Sequence, residues 1–153
     1  MNSDKRAKID MERFSEFIKN IELKSISLKE LKVLSLIPFE GKLPKVKIKF
    51  SSDEIRIIEG VGFEVIQKLK LEGRHSRKLA IKIELTQSIF YKLKNQELLI
   101  ENFVEHFAQS SSILHGWPYI RETISYTVVK MGYPPLFLPL LPLPDSQADT
   151  VER

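Results

Sequence analysis

The sequence predicts an α+β fold in which helices pack on one face of an antiparallel sheet. Apolar/polar alternation is strict over residues 45–50 and runs, less regularly, through 61–72 and 79–86, the period of a strand with one dry and one wet face. After Lys94 the apolar period lengthens to that of a helix in two successive segments. Strands come first and helices afterwards, which is the order of an α+β chain rather than of an alternating α/β one.

At the N-terminal end, Phe14, Phe17, Ile18 and Ile21 stand at helical spacing, whereas Ile21–Ile26 alternates weakly. A short helical lead-in followed by a strand over about 20–27 fits both, with helix and strand open across 11–27. From Leu28 to Pro44 the chain carries Leu31, Val33, Leu34, Leu36, Ile37 and Phe39 and is interrupted by Pro38, Gly41 and Pro44. This is read as an apolar loop. Loops run over the surface and are normally polar, so this one must either cover the core or meet something else.

The clearest strand follows, with Val46, Ile48 and Phe50 alternating against Lys45, Lys47 and Lys49. Ile55 and Ile57 extend or restart it after a break at Ser51-Ser52-Asp53. Val61, Phe63, Val65, Leu69 and Leu71 then share a face opposite Lys68, Lys70 and Glu72, and Gly73 is read as opening a turn. Leu79, Ile81, Ile83 and Leu85 alternate with Lys82, Glu84 and Thr86 beyond it, completing an antiparallel hairpin.

Asn95 is placed to cap a helix over about 96–109 whose apolar stripe is Leu99, Ile100, Phe103, Val104 and Phe107. Pro118 suits the first turn of a second helix, since it has no N–H to satisfy there. Ile120, Ile124, Val128 and Met131 recur at helical spacing until Gly132 and Pro134-Pro135 supply the stop. The helices are expected on the dry face.

The 153 residues are 42% hydrophobic and 29% charged, which suits one folded domain, expected over 1–144 with a polar, irregular tail over 145–153. There is no cysteine, so disulfides and cysteine-based metal sites are excluded. Charges at Asp4, Lys5, Arg6, Lys8 and Asp10 replace the apolar stretch of an export signal. A cytoplasmic location is expected. PPLFLPLLPLP is too short and too proline-rich to span a membrane.

No catalytic or metal site is expected. His75, His106 and His115 are scattered without metal spacing, no phosphate-binding loop is present, and Gly60-Val-Gly62 lacks the rest of a dinucleotide fingerprint. The chain reads as neither an enzyme nor a cofactor carrier. The net charge of +4 permits acidic partners. A sheet that binds RNA, however, presents aromatics on its wet face, and the alternation puts Phe50 and Phe63 on the dry one.

Residues 116–125, GWPYIRETIS, continue through VKMGYPPL at 129–136. In order and spacing this resembles the SecB family, which has a Pro-Tyr-Ala-Arg-Glu type of stretch, an apolar helix, then glycine, aromatic, proline and a Leu/Pro-rich continuation. Pro118, Tyr119, Arg121, Glu122, Ile124, Gly132, Tyr133 and Pro134 carry the match, with Ile120 in place of the usual alanine. The resemblance implies a four-stranded antiparallel sheet, assembled as a dimer of dimers through the helices. It implies an ATP-independent holdase that keeps secretory precursors unfolded for the SecA motor, or, as in some relatives, a chaperone dedicated to an antitoxin. No cofactor is implied. Outside the family, the alternative is a binding module for an acidic protein or RNA.

On this reading the walls of a client groove are Leu31, Val33, Leu34, Leu36, Ile37 and Phe39 on one side and Tyr133, Leu136, Phe137 and Leu138 on the other. Ile120, Ile124 and Val128 are expected at the interface of a tetramer. Two features depart from the family. The wet face reads as lysine-rich where SecA would meet carboxylates, and Pro139, Pro142 and Pro144 forbid a regular C-terminal helix.

Overall fold

In a computed structural model of the chain, which describes residues 9–142 and Gln147–Ala148, one antiparallel sheet runs in the order β1-β4-β3-β2-β5. Its long strands are β1 (Ile21–Ser35), β2 (Lys45–Ile58), β3 (Gly62–His75) and β4 (Lys78–Leu93), and β5 (Gln147–Ala148) pairs with the outer edge of β2. Helices α1 (Met11–Lys19), α2 (Glu101–Ala108) and α3 (Ser111–Lys130) supply the second layer. Beyond β5, the tail expected over 145–153 lies outside the described residues.

The lead-in is a helix because Asp10 caps it, accepting from the backbone N–H groups of Glu12 and Arg13 at 3.1 and 3.3 Å, and because Phe14 and Phe17 are buried. Strand β1 then continues past 27 to Ser35, so Leu31, Val33 and Leu34 belong to a strand rather than a loop. The alternation fades there for a physical reason. The outer half of β1 is exposed on both faces, so burial does not force a period on its sequence.

Strand β2 is unbroken, and the expected interruption is a register shift between Ser51 and Glu54. Gly73 lies inside β3, and the turn comes later, with Ser76 at φ 54°. A side chain at 73 would bring its Cβ to 2.7 Å from Ile81 Cγ1, so close packing is what keeps glycine there.

The first expected helix is divided. Asn95 does accept from the Glu97 N–H at 3.1 Å, but over the short 3-10 turn Gln96–Leu98, and α2 begins separately at Glu101. Helix α3 starts at Ser111, so Pro118 is internal rather than in a first turn. The helix stops as expected, with Gly132 at φ 86° and the Tyr133 N–H bonded to the Val128 carbonyl at 3.2 Å.

Two apolar clusters fill the space between sheet and helices. Phe14, Phe17, Phe63, Tyr91, Phe103 and Phe107 form one, and Leu71, Ile83, Trp117, Ile120, Ile124 and Val128 lie in the other. Between them Gln67 and Gln87 face each other in the register of β3 and β4. The Gln87 amide donates to Gln67 Oε1 at 2.8 Å and to the Gly116 carbonyl at 2.9 Å. Gln67 donates to Ser52 Oγ and the Ser112 carbonyl, and Ser52 to the Ala108 carbonyl at 2.7 Å. This buried network ties the α2–α3 junction to the sheet, and its satisfied groups make burial of the amides tolerable.

Candidate functional site

Two proline-bounded segments meet at the β2 side of the molecule. One is the β1–β2 connection over 36–44, started by the Leu36 and Ile37 N–H groups, which both donate to the Ala80 carbonyl at 2.8 and 3.2 Å. The other follows α3 over 133–142. The Tyr133 hydroxyl donates to the Ile37 carbonyl, and the Phe39 and Tyr133 rings lie 5.5 Å apart. Burial, reinforced by the Glu40 carboxylate, holds the Tyr133 hydroxyl above its ordinary pKa, which keeps its proton available for that bond. Trp117 anchors the far end, donating from Nε1 to the Pro139 carbonyl at 2.8 Å.

The two walls foreseen from the sequence are therefore neighbours, but their residues divide by burial. Tyr133 and Leu138 are buried in the core, and Ile37, Phe39 and Leu136 pack partly against it. They hold the walls in place. The exposed apolar residues are Leu36 on the first segment and Phe137 on the second, with Phe137 81% exposed. Leu43, Leu140 and Leu141 are also exposed, at 48%, 77% and 50%, and sequence reasoning missed them. Their signal is the proline spacing at 134, 135, 139, 142 and 144, which holds the backbone extended so that adjacent leucines cannot all turn inwards. Between the walls, Leu43, Pro44, Val46, Val128, Tyr133 and Leu136 line a cleft of about 30 Å³.

Leu31, Val33 and Leu34 do not join this site as one surface. Leu31 and Val33 lie opposite Leu85 and Ile83 and so face the helix side, while Leu34 lies opposite Lys82 on the other face. Leu23, Leu28, Leu31 and Val33 leave an apolar row exposed along the helix side of β1. The residues expected at an oligomer interface are placed differently. Ile120, Ile124 and Val128 are buried inside this chain against the sheet, so they have no surface left to offer a second copy. The exposed apolar side chains of α3 are Leu114, Tyr119, Tyr126 and Val129.

The outer face of the sheet is mixed in charge rather than uniformly basic. Lys68 pairs with Glu54 at 2.9 Å, Lys70 with Glu72 at 3.4 Å and Lys82 with Glu84 at 3.2 Å. Lys45, Lys47 and Lys49 have no ion-pair partner among the described residues. Phe50 packs edge-on against Trp117 at 5.1 Å and Phe63 is fully buried, so neither serves that face as a stacking platform.

Among the described residues no cluster of His, Asp and Glu could hold a metal, and no helix is long and apolar enough to cross a membrane. His115 meets the Tyr91 hydroxyl at 2.8 Å. Burial pushes Tyr91 up to about 12 and His115 down. The pair sits beside Phe107 in the aromatic cluster, with the character of a packed polar contact rather than a reactive centre.

The family model described as preprotein translocase subunit SecB matches residues 10–142. A protein-export protein SecB of Methylobacillus flagellatus is 26% identical over 121 residues, covering 79% of this chain and 74% of its own. Among solved structures, a SecB-like chaperone of Mycobacterium tuberculosis, in complex with a ChAD peptide from the HigA1 antitoxin, shares the fold. Its TM-score is 0.76 at 14% identity, covering 87% of this chain and 99% of the other.

Proposed function

The chain belongs to the SecB family, and from that premise we propose that it works as an ATP-independent holdase capturing unfolded polypeptides on the exposed leucines and phenylalanine of the two joined segments. The observation that supports this reading most is the pairing of exposed apolar side chains with buried anchors. Tyr133 and Leu138 fix the walls, while Leu36, Leu43, Phe137 and Leu140 face solvent. Such a surface is suited to varied client side chains, because apolar burial is non-directional and contributes about 25 cal/mol per Å² wherever it occurs. No step needs a nucleotide.

Replacing Leu36, Leu43, Phe137 and Leu140 together by serine tests the reading. Client aggregation should be suppressed at least about tenfold less well, since full burial of each such side chain contributes about 1.5–3 kcal/mol, with melting little changed. Unaltered protection by a normally folded variant would place capture elsewhere.

We propose further that the chain forms an oligomer, a tetramer, and that its contacts use the uncovered row of β1 and the exposed side chains of α3 in place of Ile120, Ile124 and Val128. Exposed contiguous apolar rows of this kind mark association surfaces. A second reading, a chaperone dedicated to an antitoxin, is favoured by the peptide seen in the Mycobacterium tuberculosis complex. Titration with an unfolded secretory precursor and with an antitoxin peptide separates the two. Affinity for one antitoxin segment far above that for precursors would select the dedicated role. The outer face carries lysine–glutamate pairs rather than the free carboxylates that the family resemblance implies for SecA.

A further inference from the structure

We propose that the capture surface continues into a basic cavity that takes client carboxylates, so that unfolded segments with aspartate or glutamate beside their apolar residues are preferred. This preference rests on the apolar capture proposed for the two joined segments. The cavity, of about 560 Å³, lies between the β1–β2 connection and the β3–β4 turn, within the size range of a ligand site. Ile37, Pro38 and Leu43 supply its apolar lining, and Lys42, Lys45, Arg74 and His75 its basic one. Leu43 therefore belongs to both surfaces. A client side chain held on it brings the client's neighbouring residues within reach of Lys42 and Lys45.

Charge around the cavity is unbalanced in a way that an anion relieves. Lys45 and Arg74 stand directly opposite each other in the β2–β3 register, and like charges so placed repel. Arg74 is held by Glu72 Oε2 and the Arg77 carbonyl, both at 3.3 Å, but Glu72 is shared with Lys70 at 3.4 Å. Lys42 and Lys45 have no ion-pair partner among the described residues. Glu40 is the one carboxylate of the lining. It adds to burial in raising the pKa of the Tyr133 hydroxyl, and it pairs with neither lysine. A client carboxylate entering between Lys45 and Arg74 offsets both charges at once, and the guanidinium retains N–H donors for it.

The test compares two synthetic peptides on the full chain. One has a leucine- and phenylalanine-rich half followed by alternating aspartate and serine, and the other is identical with asparagine for every aspartate. The wild type should bind the acidic peptide more tightly, by about two- to fivefold for each lysine engaged, with the difference fading in high salt. Lys42→Gln with Lys45→Gln should abolish the preference and leave affinity for the asparagine peptide unchanged, which also reports that the fold is intact. Lys42→Arg with Lys45→Arg, which keeps the charge, should keep the preference. So should Lys92→Gln with Lys94→Gln, the same change of net charge around the opposite end of β4. Equal affinity of the wild type for the two peptides would overturn the basic subsite and leave apolar capture standing, whereas binding of neither would overturn both. Equal loss of preference in the Lys92/Lys94 variant would assign the effect to net charge and overturn the site.

Discussion

At the residue scale, Gly116 is tightly constrained. A Cβ there would stand 1.9 Å from Gln67 Oε1 and 2.7 Å from Gln87 Nε2, inside the buried network that joins α3 to the sheet. Neither amide can move without leaving buried partners unpaired. Gly116→Ala is therefore expected to cost about 2 kcal/mol or more of stability by chemical denaturation. The sequence displays this glycine within its family-like stretch but does not reveal its contact, because Gln67 and Gln87 sit far away in the chain. Their burial was equally hidden. Both occupy apolar positions of their strands, and only the facing register shows why polar residues stand there.

His115 gives a second prediction at this scale. Burial lowers its pKa from an ordinary value near 6.5, so both folded and unfolded chains hold it neutral above that pH and stability is at its full value. As pH falls below about 6.5 the unfolded chain takes the proton first. Stability is lost through that window until the folded form also protonates. His115→Asn, which keeps an acceptor for Tyr91 but cannot titrate, should flatten this part of the stability profile. An unchanged slope in the variant would assign the acid sensitivity to another group.

At the element scale, strands with one covered face were legible and the edge strand was not. β3 and β4 alternate because helices cover one of their faces, and the same reasoning located the apolar stripes of α2 and α3. β1 exposes both faces over its outer half, so Leu31, Val33 and Leu34 looked like an apolar loop. The helix boundaries shifted for a related reason. Pro118 is tolerated inside α3 because Trp117, Ile120 and Ile124 hold that helix on the sheet, and packing outweighs the helix-breaking effect of one missing hydrogen bond. The uncovered row of β1 carries a prediction. Leu31→Ser with Val33→Ser should leave thermal melting of the dilute chain nearly unchanged while shifting light-scattering mass toward smaller species. A constant mass would place the association surface elsewhere.

At the scale of the whole molecule, the resemblance seen over 116–142 extends to a family match over 10–142, and the α+β architecture follows the predicted order. The two apolar segments over 36–44 and 133–142 were legible as apolar and proline-bounded, but which of their side chains are buried and which exposed depends on which one meets Ile37 or Trp117, a long-range fact absent from local pattern. Tyr133 and Leu138 were grouped with Phe137 for that reason, although burial separates them. The same division explains how the chain can keep sticky side chains at its surface without losing its fold. Its two core clusters are complete without Leu36, Phe137 or Leu140.

The most direct measurement of the capture surface is photo-crosslinking of an unfolded client to the full chain with a reactive side chain placed at one position at a time. Adducts are predicted at 36, 43, 137 and 140, and not at 68 or 82 on the outer sheet face. Crosslinking concentrated at 68 and 82, with none at 36 or 137, would contradict the account.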